Sequence, residues 1–275
     1  MSDQEISKME EGGDLKAQKT QKELGFFNSP EVVHTIQKLI AEVIGTYFLI
    51  FAGCASVVLN NVGESKGTIT FPGICITWGL SVMILVYSLG HISGAHFNPA
   101  VTISFAIYRQ FPLKQVPMYI IAQMVGSILA SGTLCLLFEL DEKSFFGTVP
   151  SGSHVQSLVF EILASFLLMF VISAVSTDNR AVGELAGIAV GMTIIVDVFM
   201  AGPISGASMN PARSIGPALV MHIYTGVWVY IVGPILGTFL GSSAYNLIRF
   251  TDKPLNEISR TSSFLKSVSR SRESF

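Results

Sequence analysis

The sequence predicts an all-α membrane protein in which six transmembrane helices and two re-entrant half-helices form two inverted three-helix repeats. Three observations support this prediction: the composition, the length of the apolar stretches, and a motif that occurs once in each half of the chain. Half of the 275 residues are hydrophobic and only 13% are charged, whereas soluble domains carry roughly 25% charged residues. A soluble enzyme is therefore disfavoured. The 17 Lys and Arg are outnumbered by 19 Asp and Glu, so no basic surface for nucleic acid is expected.

Residues 1–35 form a polar segment, and the first apolar run starts only near Leu39. That distance is too long for a cleavable signal peptide, whose apolar region follows within a few residues of the start. Residues 251–275 are similarly polar and rich in Ser and Arg. Segments of this composition cannot bury enough apolar surface to fold, so we expect two disordered tails.

Six apolar stretches lie between the tails, in residues 36–250. Each has about twenty residues, enough to cross a ~30 Å hydrocarbon core. They cover residues 38–59, 71–90, 117–138, 155–177, 182–200 and 225–248. The charges inside them are chiefly Glu42, Glu161 and Asp197. Since an intramembrane charge faces protein or a water-filled cavity, we expect these three side chains to have partners.

The second half of this region (repeat two, 154–250) resembles the first (repeat one, 36–140). The ten residues from Glu42 align with the ten from Glu161, and the eleven residues from Ile92 match the eleven from Ile204 at seven positions. Each repeat contains three crossings, an odd number, so the second copy enters the membrane from the opposite side. The repeats are therefore predicted to be inverted.

Each repeat contains the tripeptide Asn-Pro-Ala, followed by a short apolar stretch, 98–108 in one and 210–220 in the other. Eleven helical residues cover only ~16 Å, so two such pieces meeting end to end would cross one bilayer core. Asn is favoured as an N-cap and Pro at the first helical position. We predict two half-helices that meet at mid-membrane and line a cavity. The asparagine amides are expected to face this pore and donate to passing oxygen atoms, while the helix N-termini oppose cations and protons.

The distribution of Lys and Arg predicts the orientation, because cytoplasmic segments carry the excess of positive charge. With both termini cytoplasmic, fourteen of these residues lie inside and three outside. The residues nearest to the membrane agree with this arrangement: Lys38, Arg109, Lys114, Arg180 and Arg249.

The paired tripeptides, the glutamate-headed repeats and the six spans resemble the major intrinsic protein family of aquaporins and glycerol channels, over about 36–250. The segments HISGAHFNPAVT and GASMNPARS are similar to the plant nodulin-26-like subfamily in particular. The tripeptide residues that carry the resemblance are Asn98, Pro99, Ala100, Asn210, Pro211 and Ala212. The resemblance implies a passive pore for water and small neutral solutes such as glycerol, in a homotetramer in the lipid bilayer, with no cofactor and no catalysis. The plasma membrane is the default location.

In that family the narrowest constriction is formed by four positions, which the resemblance places at Trp78, Val198, Ala207 and Arg213. Such a ring combines apolar walls with fixed donors, which suits an alcohol. Water-selective relatives have a histidine at the position of Val198, so its absence favours polyols. Two alternatives stay open from the residues alone: Arg213 could pair with Asp197, and Trp78 could belong to an interfacial aromatic belt.

Glu42 and Glu161 could form a proton relay, since intramembrane carboxylates often do so. We favour a structural role, in which each accepts hydrogen bonds from irregular loop backbone. We also expect His96 to be structural, because no cluster with metal-ligand spacing surrounds it.

The C-terminal tail has a basic residue, Arg260, three positions before Ser263, a spacing typical of kinase substrates. The resemblance implies a calcium-dependent protein kinase as the partner. A basic tail attracted to anionic lipid is the alternative.

Other functions also remain open for the whole chain. A secondary transporter would use similar inverted repeats but would need ligands for a coupling ion. A channel mainly for ammonia, lactic acid or metalloid acids would differ only in the fine shape of the constriction. A scaffold protein with a closed pore would show no permeability.

Overall fold

The computed structural model describes residues 29–63, 65–178, 180–181 and 183–249. Within these ranges six helices are long and apolar enough to cross a membrane, and two short helices interrupt the order. The predicted fold class is confirmed. In chain order the helices are α1 (Pro30–Asn61), α2 (Thr70–Ser93), α3 (Pro99–Ile107), α4 (Val116–Leu137), α5 (His154–Thr177), α6 (Ala186–Ser205), α7 (Pro211–Met221) and α8 (Val229–Ile248). Single 3₁₀ turns lie at Leu113–Gln115, Glu142–Ser144 and Gly183–Leu185.

The first helix begins earlier than the apolar pattern indicates. Pro30 occupies the first turn, where proline is favoured, and Glu31 beside it complements the positive end of the helix dipole. Residues 30–35, which composition assigned to the tail, are therefore helical. Residues 1–28 and 250–275 lie outside the described residues, and with them Ser263.

Two later boundaries also differ from the predicted spans. α6 continues to Ser205 although Pro203 lies in its last turn, and it ends at Gly206, whose left-handed backbone terminates the helix. The last long helix begins at Val229 rather than at residue 225, because residues 225–228 form a turn. Apolar runs locate a span but do not mark the turn at which it starts.

Glycines bring the backbones of the long helices together. A Cβ on Gly126 of α4 would lie 2.6 Å from the Val43 carbonyl oxygen of α1, and one on Gly237 of α8 would overlap the Ile162 carbonyl of α5. These two contacts join corresponding helices of the two repeats. Close approach at small residues is the usual packing of membrane helices, because lipid supplies no hydrophobic drive for their association.

The two halves meet through α2 and α6. A Cβ on Gly191 would lie 2.7 Å from the Gly79 carbonyl oxygen, and a Cβ on Gly79 would overlap the Gly191 carbonyl. The outward faces of the long helices carry large exposed apolar side chains, including Phe48, Ile84, Leu129, Leu163 and Met192. Such a surface fits lipid, and the chain is an integral, multi-pass membrane protein.

Candidate pore and its constriction

The two Asn-Pro-Ala tripeptides start the short helices. Asn98 caps α3, where its Oδ1 accepts a hydrogen bond from Ala100 N at 2.9 Å. Asn210 caps α7 in the same way, accepting from Ala212 N at 2.9 Å. A proline follows each asparagine at the first helical position. The predicted half-helices are therefore present, and the cap and proline signals explain where they start.

The two half-helices are joined at their N-termini by the same asparagines. The Nδ2 atom of Asn98 donates to the Met209 carbonyl oxygen at 2.8 Å, and that of Asn210 donates to the Phe97 carbonyl oxygen at 2.8 Å. An amide nitrogen carries two hydrogens. One N–H of each asparagine therefore links the repeats, and the second remains for another acceptor.

The loops that lead into the half-helices have an unusual backbone, which the sequence did not reveal. Ala95, Phe97, Ala207 and Met209 all have positive φ angles, between 46° and 54°. Non-glycine residues in this region cost free energy and persist only where the surroundings hold them. The four residues occupy corresponding places in the two repeats, at one and three positions before each asparagine.

Buried carboxylates hold both loops. Glu42 accepts hydrogen bonds from His96 N at 3.0 Å and Phe97 N at 2.8 Å, with Ser93 and Gln123 as further donors. Both glutamates are 0% exposed. Because a buried main-chain N–H needs a partner, each carboxylate stabilises backbone that no helix or sheet can satisfy.

Glu161 makes the corresponding set in repeat two. It accepts from Ser208 N at 2.8 Å, from Met209 N at 2.7 Å and from the Ser205 hydroxyl at 2.7 Å. The glutamine that assists Glu42 has no counterpart here, because Pro234 follows Tyr230 at the spacing by which Gln123 follows Tyr119.

A narrow cavity runs between the halves past both asparagines. The space open to the centres of water molecules is about 60 Å³, and a single water needs roughly 10–15 Å³ on that measure. The cavity therefore has room for only a few water molecules. Its wall is mostly apolar and includes loop residues from both repeats: Ala95, His96, Phe97, Asn98, Ala207, Ser208, Met209 and Asn210.

The four residues expected at the constriction all line this cavity: Trp78, Val198, Ala207 and Arg213. They come from α2, α6, the loop before α7, and α7 itself. The guanidinium carbon of Arg213 lies 4.8 Å from the centre of the Trp78 ring. Its Nη1 atom donates to the Phe146 carbonyl oxygen at 3.5 Å. The structure thus brings together residues that are 135 positions apart in the sequence.

The two alternative interpretations from the sequence are wrong. The ion pairs within the described residues join Asp178 to Arg180 and Arg249, and Arg213 is not paired with Asp197. Trp78 is 8% exposed and faces the cavity, so it does not lie in an interfacial belt. The expectation of a partner for Asp197 is also not met, since neither of its oxygens has a hydrogen bond within the described part of the chain.

Sequence reasoning missed the contribution of the connection between α4 and α5, residues 138–153. Phe146 is fully buried there and supplies the carbonyl that faces Arg213. The atom that accepts from Arg213 is a main-chain oxygen, which every residue has, so the identity of the residue at position 146 does not indicate this contact. The neighbouring Phe145 and Phe146 in a polar segment were the only available hint.

Two inverted repeats, two half-helices and a narrow central cavity define this protein as a membrane channel. The chain belongs to the major intrinsic protein family, which it matches over residues 29–245.

Curated relatives place it near the plant nodulin-26-like aquaporins. It is 64% identical over 265 residues to a probable NIP-type aquaporin of Nicotiana alata, which covers 96% of this chain and 97% of that protein. It is 58% identical over 237 residues to nodulin-26 of Glycine max, covering 86% and 87%. These relatives are channels and not enzymes. The fold is similar to the X-ray structure of the aquaglyceroporin from Plasmodium falciparum, with a TM-score of 0.70, 24% identity, and coverage of 82% of this chain and 99% of that one.

Proposed function

We propose that the protein is a passive channel for water and small uncharged solutes such as glycerol, and that it excludes ions and protons. The observation that carries this proposal is the composition of the constriction. Trp78 offers a broad apolar face, Val198 and Ala207 leave space, and Arg213 offers several donors in a fixed plane. A molecule with one hydrocarbon edge and one hydroxyl edge is complementary to that ring.

Beyond the constriction, a solute exchanges its water hydrogen bonds for bonds to the pore wall. No donor among the described residues reaches the carbonyl oxygens of Ala95, His96, Ala207 or Ser208. These main-chain acceptors are free to accept from a solute hydroxyl. The second Nδ2 hydrogens of Asn98 and Asn210 supply the opposing donors at the centre.

Ion exclusion follows from positive charge at two levels of the pore: the helix N-termini at its centre and Arg213 at the constriction. The N-termini of α3 and α7 point at the same region and give it a positive potential, which opposes cations and a proton-conducting chain of waters. Of the described residues that line the cavity, Arg213 carries the formal charge. Glu42 and Glu161 direct their oxygens at loop donors rather than at the path, which supports a scaffolding role.

Glycerol as a physiological solute draws support from the constriction and from the fold shared with an aquaglyceroporin. Water alone, ammonia, lactic acid and metalloid acids are competing solutes that a flux assay separates. A saturable, proton-dependent uptake would instead favour a secondary transporter.

We also propose the membrane arrangement. The count of fourteen Lys and Arg against three supports an arrangement with both termini in the cytoplasm. The family resemblance supports a homotetramer with one pore per chain, and the plasma membrane is the default location. Regulation through Ser263 by a calcium-dependent protein kinase rests on the Arg260 spacing, and phosphate mapping of residues 259–269 in native tissue tests it.

Stopped-flow light scattering on proteoliposomes tests the central proposal. We expect water and glycerol flux in the unchanged protein, and loss of glycerol flux with retained water flux in Val198→His, because the imidazole narrows the ring. Val198→Thr is the matched control, since it keeps the size of valine and should still pass glycerol. If the unchanged protein passes water but never glycerol, the polyol assignment is wrong. If it passes neither although correctly inserted, the pore is closed.

A further inference from the structure

The connection between α4 and α5 reaches the constriction through two buried residues. Phe146 is fully buried and Thr148 is 3% exposed, although most of the surrounding segment is exposed or half-buried. A Cβ on Gly206 would lie 3.1 Å from Thr148 Cγ2, so the connection packs directly on the turn that follows α6. The segment is therefore fitted to the pore rather than lying loosely over it.

Thr148 starts a chain of hydroxyl groups that ends on the capping residue of α7. Its Oγ1 lies 2.6 Å from Ser214 Oγ, which lies 2.6 Å from Ser208 Oγ, and Ser208 donates to the Asn210 carbonyl oxygen at 2.9 Å. Each hydroxyl has one proton to donate. Each of the two hydroxyl pairs can be donated from either side. When Ser208 donates to Asn210, Ser208 accepts from Ser214 and Ser214 accepts from Thr148.

Repeat one has a corresponding set of side-chain hydrogen bonds, but its third member comes from a different element of the fold. His96 and Thr102 occupy the places of Ser208 and Ser214, two before and four after the asparagine, and His96 Nδ1 lies 3.1 Å from Thr102 Oγ1. Its third member is Gln123 of helix α4, which donates to Thr102 Oγ1 at 3.0 Å. In repeat two the third member is Thr148. In repeat two a residue of the α4–α5 connection therefore makes the contact that a residue of the transmembrane helix α4 makes in repeat one.

The same segment presents the carbonyl that faces Arg213. Within the described residues the Phe146 carbonyl is the hydrogen-bond acceptor of the guanidinium, whose Nε has none. Cys54 Sγ lies 3.7 Å from the same carbonyl oxygen. Phe146 therefore contacts the same guanidinium that lies against the Trp78 ring.

We propose that Thr148 is a positioning residue of the constriction: its hydroxyl ties the α4–α5 connection to α7 and so holds the Phe146 carbonyl against Arg213. The inference rests on the proposed function, in which Arg213 helps to select the solute. Removal of the hydroxyl loosens the part of the connection around Phe146, although the Ser151 N–H still donates to the Ile204 carbonyl oxygen at 3.0 Å. The guanidinium then samples positions across the path. A displaced guanidinium obstructs glycerol more than water, because glycerol is wider.

The test compares Thr148→Val and Thr148→Ala, which lack the hydroxyl, with Thr148→Ser, which keeps it. Thr193→Val is the matched control, since Thr193 is also buried but, within the described part of the chain, its hydroxyl bonds only to Ala189 O in its own helix. We expect amide hydrogen exchange in residues 145–151 to rise roughly tenfold in the Val and Ala variants, as for loss of one hydrogen bond. The serine variant and the control should match the unchanged protein.

Flux measurements on the same proteins give the second readout. We expect the glycerol-to-water permeability ratio to fall roughly two- to tenfold in the Val and Ala variants and to recover in Thr148→Ser. Unchanged hydrogen exchange in the Val and Ala variants would show that the Thr148 hydroxyl does not hold the connection, whatever the flux measurements give. Raised exchange with an unchanged ratio would overturn the positioning role. If the unchanged protein passes no glycerol, the proposed function is wrong. The exchange data still show whether the Thr148 hydroxyl holds the connection.

Discussion

The guanidinium carbon of Arg213 lies 4.8 Å from the centre of the Trp78 ring. Trp78 belongs to repeat one and Arg213 to repeat two, so the two halves share this part of the cavity wall. A guanidinium at this distance from an indole is attracted by the ring quadrupole. The contact packs the guanidinium against the apolar ring in the wall of the cavity.

Gly53→Ala tests whether the position of the Trp78 ring sets the solute preference. A Cβ on Gly53 would overlap the ring, so the indole must move toward the cavity. We expect glycerol flux to fall more than water flux, and the melting temperature to drop because overpacking costs about 1–3 kcal/mol. Gly132→Ala is the control, since a Cβ there meets nothing within 4 Å. Equal flux ratios in both variants would argue against Trp78 as a wall of the constriction.

Glu42→Gln and Glu161→Gln test the scaffolding role of the buried carboxylates. Both oxygens of each glutamate accept from a main-chain N–H, so either orientation of the amide places its nitrogen against a donor. We expect each variant to lose about 1–3 kcal/mol of stability, as for an unsatisfied buried group. Thermal unfolding in detergent measures the loss, with the exposed Glu142→Gln as control. A proton relay predicts altered proton flux with unaltered stability, the opposite result.

Asn98→Asp tests the positive potential at the centre of the pore. The carboxylate keeps the acceptor for Ala100 N but loses the donor to the Met209 carbonyl, and it adds a negative charge where two helix N-termini meet. We expect measurable cation or proton leakage into proteoliposomes that carry a pH-sensitive dye. Asn246→Asp on α8 is the control away from the cavity. A variant that remains tight to protons and cations would show that other groups exclude them.

The hydrogen bonds of Asp178 lead us to expect that the stability of the folded protein depends on pH. Hydrogen bonds from Arg180, with the Tyr245 hydroxyl as a further donor, hold the pKa of the Asp178 carboxyl well below its ordinary value. Since the folded pKa lies below the unfolded one, the stabilisation is complete above the unfolded value of about 3.9 and is lost as the pH falls through the folded pKa. The difference in melting temperature between the unchanged protein and Asp178→Asn should be constant from pH 8 to pH 5 and shrink below about pH 4. A difference that changes between pH 8 and pH 5 would contradict this assignment.

The part of the pore that the sequence predicts well is the part encoded by local signals. The pairs Asn98-Pro99 and Asn210-Pro211 each indicate the start of a helix, because Asn is favoured as an N-cap and Pro at the first helical position. The inverted arrangement follows from counting crossings between two copies of one motif. The start of the first helix was predicted too late, because Val32, Val33 and Ile36 in its first two turns alternate with polar residues and form no continuous apolar run.

The sequence by itself determined the class of fold, the two half-helices and the residue types at their N-termini, because periodicity, capping and repetition are local properties of a chain. Only the tertiary structure decided which distant groups meet. The cross-bonding of Asn98 to Met209, the positive φ angles that Glu42 and Glu161 stabilise, and the Phe146 carbonyl against Arg213 all depend on main-chain atoms. Every residue has such atoms, so no residue type signals them. Their partners are fixed only when the helices pack.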